Sequence, residues 1–194
     1  DSTRAFTAAA EWFGRWGGKS ASEPAHTAPV PRKGVFLFDL PGSPSTEVRA
    51  VLVGPGRGDA GYAGWSVARE ALEGGLLPAG AHALLISGRE ASQLMVSASA
   101  RPESTASVAL RVGAALRSLA ALPAGGPALA TARGRAAGAW PLSLETLGQL
   151  LATWLAGDAA GLPGGQLERM PATLLAADLR GVSAAFGGGY TLLL

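Results

Sequence analysis

The order of its strand-like and helix-like segments constrains this chain more than any motif in it. Apolar runs with strand character come in closely spaced pairs, and helix-like segments then follow one another with no strand between them. "VFLFDL" (residues 35–40) and "EVRAVLV" (residues 47–53) are separated only by a Pro/Gly/Ser turn, so an antiparallel pair is the simplest arrangement. "HALLIS" and "QLMVSASA" flank "GREAS" and read as a second hairpin. Then "ESTASVALRVGAALRSLAAL" sets Val108, Val112, Ala115, Leu116, Leu119 and Leu122 at helical spacing. "ALATARGRAAGAW" reads as a further helix. "SLETLGQLLATWL" reads as another, with Ser143 as N-cap and Leu144, Leu147, Leu151, Trp154 and Leu155 facing inward. A short helix and the strand "YTLLL" close the chain. This order predicts an α+β fold, a mostly antiparallel sheet with helices packed on one face, and not alternating βαβ units.

Composition narrows the class of function. At 194 residues the chain has the length of one domain with an appended arm. With 48% hydrophobic and 15% charged residues it is globular and not disordered. The formal net charge is +2, and all basic residues but Lys19 and Lys33 are arginines, scattered singly along the chain. That pattern is no nucleic-acid or anionic-membrane footprint. There is no cysteine, which removes disulfides, thiol nucleophiles and Cys-ligated zinc together. No apolar run approaches the ~18 residues of a membrane span. The sequence begins at Asp1 without methionine, which suggests a fragment whose leader has been lost. "AFTAAAEWFGRWGGK" reads as a short helix closed by glycines, and "SASEPAHTAPVPRKG" as a proline-rich linker holding an exposed His26.

One stretch carries an apparent signature. Gly56-Arg57-Gly58-Asp59-Ala60-Gly61 fits G-x-G-x-x-G, follows an apolar run and precedes a helical segment from Tyr62 to Glu73. That segment sets Trp65, Ala68, Ala71 and Leu72 on one face and stops at Gly74-Gly75. Arg89 and Glu90 lie where a dinucleotide site would want its ribose-binding residue. The opening resembles a short-chain dehydrogenase. The chemistry argues otherwise. Those enzymes use a tyrosine with a lysine four residues on, and neither Tyr62 nor Tyr190 has one. Pro55 removes a backbone donor beside the loop. Backbone conformation is then the better reading of these glycines. The embedded Arg57-Gly58-Asp59 is a chance match.

The surroundings of the loop resemble a different family. Asp39-Leu40-Pro41-Gly42, a second strand, Gly54-Pro55 and a helix ending in Leu72-Glu73-Gly74-Gly75 look like the opening of the second homologous domain of pitrilysin-like metallopeptidases. These inverzincins include the mitochondrial processing peptidases and the insulin-degrading enzymes. Ser45-Thr46 departs from the family's Gln-Ser step. The strand and helix from "LMVSASA" onward, the Leu144-Glu145-Thr146 step and the late helices continue the likeness, and "EWFGRW" looks like the tail of a preceding domain. The resemblance implies a two-layer sandwich of the LuxS and mitochondrial-processing-peptidase type. It divides the chain into residues 1–33, a preceding tail and linker, and residues 34–194, an inactive metallopeptidase-like domain.

Two departures shape the functional expectation. The family's zinc motif is H-x-x-E-H, and this chain has only His26 and His82, far apart. His82 reads as a structural or surface histidine. No residue is therefore assigned a catalytic, cofactor-binding or metal-binding role, and zinc is expected only in a partner half. Second, the family commonly carries an arginine and a tyrosine after the Gly-Gly that help hold substrate, and residues 71–87 contain neither. The resemblance thus implies a non-catalytic C-terminal domain that closes a peptide-binding chamber and supports a zinc-bearing half, on the same chain or a partner subunit. The alternatives are a structural or assembly module on the same fold, and a dehydrogenase-like nucleotide-binding domain. No nucleic acid or membrane partner is expected, a homodimer stays open, and a bacterial periplasm is a plausible location.

Overall fold

Alternation sets the sheet. In strand β2 (Thr46–Pro55), Val48, Ala50 and Leu52 are buried while Glu47 and Arg49 are exposed. Strand β4 (Ala91–Ala100) buries Ser92, Leu94, Val96, Ala98 and Ala100 in the same phase. The two pair antiparallel over their full length, from Thr46 opposite Ala100 to Pro55 opposite Ala91. A period of two puts every buried side chain on one face of this ladder. The computed structural model describes residues 1–17 and 32–194, so His26 and most of the proline-rich linker lie outside the described residues.

Strand β3 (Ala81–Ser87) pairs antiparallel with β4, so the second hairpin forms as the sequence predicts. The first does not. Strand β1 (Gly34–Phe36) makes no ladder with β2, because the C-terminal strand β5 (Thr191–Leu193) lies between them. β5 runs parallel to β1 and antiparallel to β2, giving the order β1-β5-β2-β4-β3. The residues between β1 and β2 do make a tight turn, with Ser43 N donating to Leu40 O at 3.1 Å and Gly42 at φ 82°, but it closes no hairpin, and Phe38 N donates to Leu194 O just past β5. Short range favoured a hairpin, but the main-chain groups of β5 needed partners on both sides.

Helices cover one face. α2 (Tyr62–Ala71) buries Trp65, Val67, Ala68 and Ala71 and continues into a π-helical turn, Leu72–Leu76. Gly75 ends that turn at φ 134°, a conformation that only glycine adopts without strain. α3 (Thr105–Ala120) buries Val108, Val112, Ala115, Leu116 and Leu119, the stripe read from the sequence, with Leu122 half-buried just beyond it. α4 (Pro127–Leu142) adds Leu129, Ala132 and Ala136. α6 (Gln166–Ala176) packs on α4 through Met170 and Leu174, and α7 (Arg180–Gly187) contributes Val182. At the start of α7 the Asp178 carboxylate accepts from the Arg180 side chain and backbone, and these bonds hold its pKa below the ordinary value. The architecture is α+β, with the helical layer on one side only.

Two details of the helices differ from expectation. α5 (Leu147–Ala159) is capped by Thr146, whose hydroxyl accepts from Gln149 N while the Gln149 side chain accepts from Thr146 N. That capping box displaces Ser143, which closes α4 instead and donates to Trp140 O. The apolar side of α5 also faces away from the core. Leu147 is 80% exposed, Leu151, Trp154 and Leu155 are exposed with it, and Leu144 is only half-buried. The helix rests on its small side, through Gly157 and the half-buried Thr153 and Ala156, so the periodicity found a real stripe but not its direction. The first helix, α1 (Ser2–Phe13), is capped by Asp1 and buries none of its side chains.

Thr146→Ala is expected to destabilise the fold by about 1 kcal/mol, and Ser143→Ala by less than about 0.5 kcal/mol. Urea unfolding of both variants checks this assignment of the cap.

Candidate functional site

The glycine-rich loop is a packing device. Gly54 stands on the buried face of β2, and the Trp65 indole lies directly on it, so that a methyl group there would collide with the ring. At Gly56 a side chain would overlap the Arg89 carbonyl, and at Gly64 that of Asp178. At Gly58 it would come within 2.7 Å of Ala160 O. None of Gly54, Gly56, Gly58, Gly61 or Gly64 has positive φ. These glycines therefore do not serve backbone conformation, as the sequence suggested. Most of them serve close approach of one backbone to another or to a ring.

Three of the loop's six amides are already committed within the protein. Gly56 N donates to Asp59 Oδ2 at 2.8 Å and Arg57 N to Gly88 O at 2.9 Å. Asp59 N and Tyr62 N donate to Gly56 O and Asp59 O, both at 3.1 Å. The strand after α2, β3, runs in the same direction as β2 but not beside it, because β4 lies between them, antiparallel to both. The β2-α2-β3 crossover is therefore split by β4 and lacks the adjacent parallel strands of a dinucleotide-binding unit, and the dehydrogenase-like reading fails.

The histidine expected at the surface is there. His82 lies on β3 with its side chain 78% exposed, and its Nδ1 is 3.9 Å from Glu73 Oε1. That same oxygen accepts from Ala83 N at 2.5 Å. Glu73, carried on the π-helical turn, thereby covers one donor on the outer edge of β3. A single carboxylate beside one imidazole is too small a donor set for zinc. Among the described residues no three His, Asp or Glu side chains converge on a point that could hold a metal ion. Tyr62 shares a hydrogen bond with Ser87, and Tyr190 stacks on Phe186 at 5.7 Å.

What remains is the face of the sheet that no helix covers. The register aligns three rows across it: His82, Ser97, Arg49 and Leu193; then Leu84, Met95, Val51 and Thr191; then Ile86, Gln93 and Val53. The second and third rows are mostly apolar yet only half-buried or exposed. The charges at one end, Glu47 and Arg49, pair with each other at 3.3 Å. Beside them opens a cleft of about 480 Å³ under the segment after β1, lined by Phe38, Leu40, Glu47, Arg49, Leu193 and Leu194. The sequence did not single out this surface. "QLMVSASA" is apolar at both parities around Met95, which blurs the alternation that marks an open face.

By sequence, the chain matches no family model and no curated protein. Its fold does match solved structures. It is similar to a peptidase M16 inactive domain from Pseudomonas fluorescens at TM-score 0.73 and 17% identity, over 100% of this chain and 50% of that one. It is similar to the inactive peptidase domain of a candidate zinc protease from Bordetella parapertussis at TM-score 0.58 and 17% identity, over 76% of this chain and 90% of that one. It is similar to the periplasmic protease PqqL from Escherichia coli at TM-score 0.62 and 10% identity, over 100% of this chain and 24% of that one. The chain thus spans about half the length of the Pseudomonas structure. It has the fold of inactive M16 peptidase domains, the fold that the pitrilysin-like resemblance implies.

If the glycines serve packing, Gly54→Ala should cost about 1–3 kcal/mol through overlap with Trp65. Gly61→Ala, whose nearest neighbour would be Pro55 Cγ at 3.6 Å, should stay close to wild type. Denaturant unfolding with tryptophan fluorescence reads both.

Proposed function

We propose that this chain is the non-catalytic half of a pitrilysin-like zinc peptidase. Its uncovered sheet face closes and lines a peptide-binding chamber, while a homologous half bears the zinc. In this reading residues 34–194 form the inactive domain, and residues 1–33 are the end of a preceding half and its linker. The observation that carries the reading is the open face itself: one side of a five-stranded sheet is left without helices and keeps half-exposed Val51, Val53, Leu84, Ile86 and Met95. An apolar surface of that kind is held for something that covers it part of the time. Peptide is the natural occupant, because apolar rows offer non-directional contacts to many sequences.

Two observations support the supporting role over a catalytic one. The fold is that of domains described as inactive, and the described residues offer no zinc ligand set. The zinc and the general base would belong to the other half, so this chain's own contribution is to bind, orient and enclose. Likeness to a periplasmic protease supports a periplasmic setting. Among the described residues no helix is long and apolar enough to cross a membrane.

One observation favours a second reading, an assembly module on the same fold without a peptidase role. Between the π-helical turn and β3 only residues 77–80 intervene, with neither arginine nor tyrosine to clamp a substrate. An H-x-x-E-H motif in the sequence preceding this region supports the peptidase reading, and its absence there supports the module.

Under the peptidase reading, Met95→Glu and Ile86→Glu place charge on the chamber wall without touching the core. Each should weaken binding of an extended, uncharged peptide by roughly tenfold or more, about 1.4 kcal/mol, with little change in thermal stability. Peptide titration followed by tryptophan fluorescence measures this. Equal affinity in wild type and both variants contradicts the assignment of the face.

A further inference from the structure

A small cavity in the helical layer brings together charged side chains of opposite sign that do not pair. It has a volume of about 180 Å³ and opens between the loop before α2, the last turns of α4 and α5, and the start of α6. Arg57 lines it from the loop, Asp158 from the last turn of α5 and Glu168 from the first turn of α6. Among the described residues no ion pair or side-chain hydrogen bond engages any of the three. Two of these placements work against the fold. Arg57 Nε is buried without a hydrogen-bond partner, and a buried donor left unpaired is a net cost. Asp158 stands at the C-terminal end of α5, where the helix dipole disfavours an anion. Glu168 differs, because the first turn of a helix favours an acid, so its place is explained without a ligand.

The rest of the wall is aromatic and held in place. The Trp140 indole donates to Leu167 O at 3.0 Å, which fixes its ring at the cavity. Trp154 supplies a second indole, 54% exposed. The backbone that carries Arg57 is anchored on both sides. Arg57 N donates to Gly88 O at 2.9 Å, and the next residue, Gly58, lies close against Ala160 O. The cavity is thus built before any ligand arrives, as binding sites for small molecules usually are.

We propose that this cavity binds a free amino acid with an apolar side chain. The ligand's carboxylate pairs with Arg57, its ammonium with Asp158, and its side chain lies against Trp140 and Trp154. One zwitterion then relieves both costs, giving the buried guanidinium an acceptor and the acid at the helix end a cation. A planar guanidinium suits a carboxylate because its parallel N–H groups meet both oxygens. The volume agrees with the chemistry: about 180 Å³ suits one amino acid and is below the roughly 300 Å³ at which pockets take drug-sized ligands. A peptide separates its terminal charges by at least one peptide unit, so it offers only one of them to so small a site. Every lining group belongs to the helical layer or to the loop before α2, and none to the open sheet face. The site therefore stands or falls separately from the chamber reading.

The test is calorimetric titration of the whole 194-residue chain with leucine, methionine and phenylalanine. Saturable one-to-one binding is expected for at least one of them, with a change in fluorescence because two of the five tryptophans line the cavity. The amide of that amino acid lacks the carboxylate and its N-acetyl derivative lacks the ammonium. Each should bind weaker by roughly tenfold or more, the loss that follows from removing one partner of a buried charge pair. Arg57→Gln and Asp158→Asn should weaken the free amino acid by a similar factor, while Glu168→Gln changes little. Arg57→Lys keeps the charge, loses the planar fork and should also bind weakly, which serves where the glutamine variant does not fold. Asp158→Asn should unfold at or above the wild-type temperature. No saturable binding by any of the three amino acids would overturn the proposal. So would equal affinity for the amide or the N-acetyl derivative, tighter binding of a dipeptide, or wild-type affinity in folded Arg57 and Asp158 variants.

Discussion

The ten-residue antiparallel ladder between β2 and β4 is the constraint on which the rest depends. Its register fixes which side of the sheet receives Val48, Ala50, Leu52, Leu94 and Val96, and hence where the helices must go. A slip of one residue would exchange that set with Arg49, Val51, Gln93 and Met95. β3 extends the ladder on one side. On the other, β5 brings the C-terminus back to seal β2 and to dock β1. The proposed function rests on the side that this register leaves bare.

Close approach is the second theme. A large indole seated on Gly54, and backbone meeting backbone at Gly56, Gly58 and Gly64, tie the loop before α2 to the turn before β4 and to the ends of α5 and α6. The same letters that mimic a dinucleotide fingerprint thus anchor α2 on the sheet. The amides of Gly56, Arg57 and Asp59 are already committed inside the protein.

Much of the fold was legible in the sequence, and the failures have physical causes. The stripes of α2 and α3 and the β3–β4 hairpin follow from local periodicity and turn chemistry, and the structure keeps them. The β1–β2 hairpin failed because its competitor, β5, lies some 140 residues away in sequence, beyond any local signal. In α5 the pattern identified an apolar side, but periodicity says only that such a side exists and not what covers it. The open face was hidden because apolar residues stand at both parities of β2 and β4. The absence of a zinc motif was plain in the letters alone, since two histidines far apart cannot make H-x-x-E-H.

In the proposed role this chain forms a wall of a peptidase chamber and does not carry its chemistry. Elemental analysis of the purified chain, run with a peptide-cleavage assay on the same sample, tests that claim most directly. The account predicts no stoichiometric zinc and no cleavage. About one tightly held zinc per chain, with hydrolysis that a chelator abolishes, would contradict it.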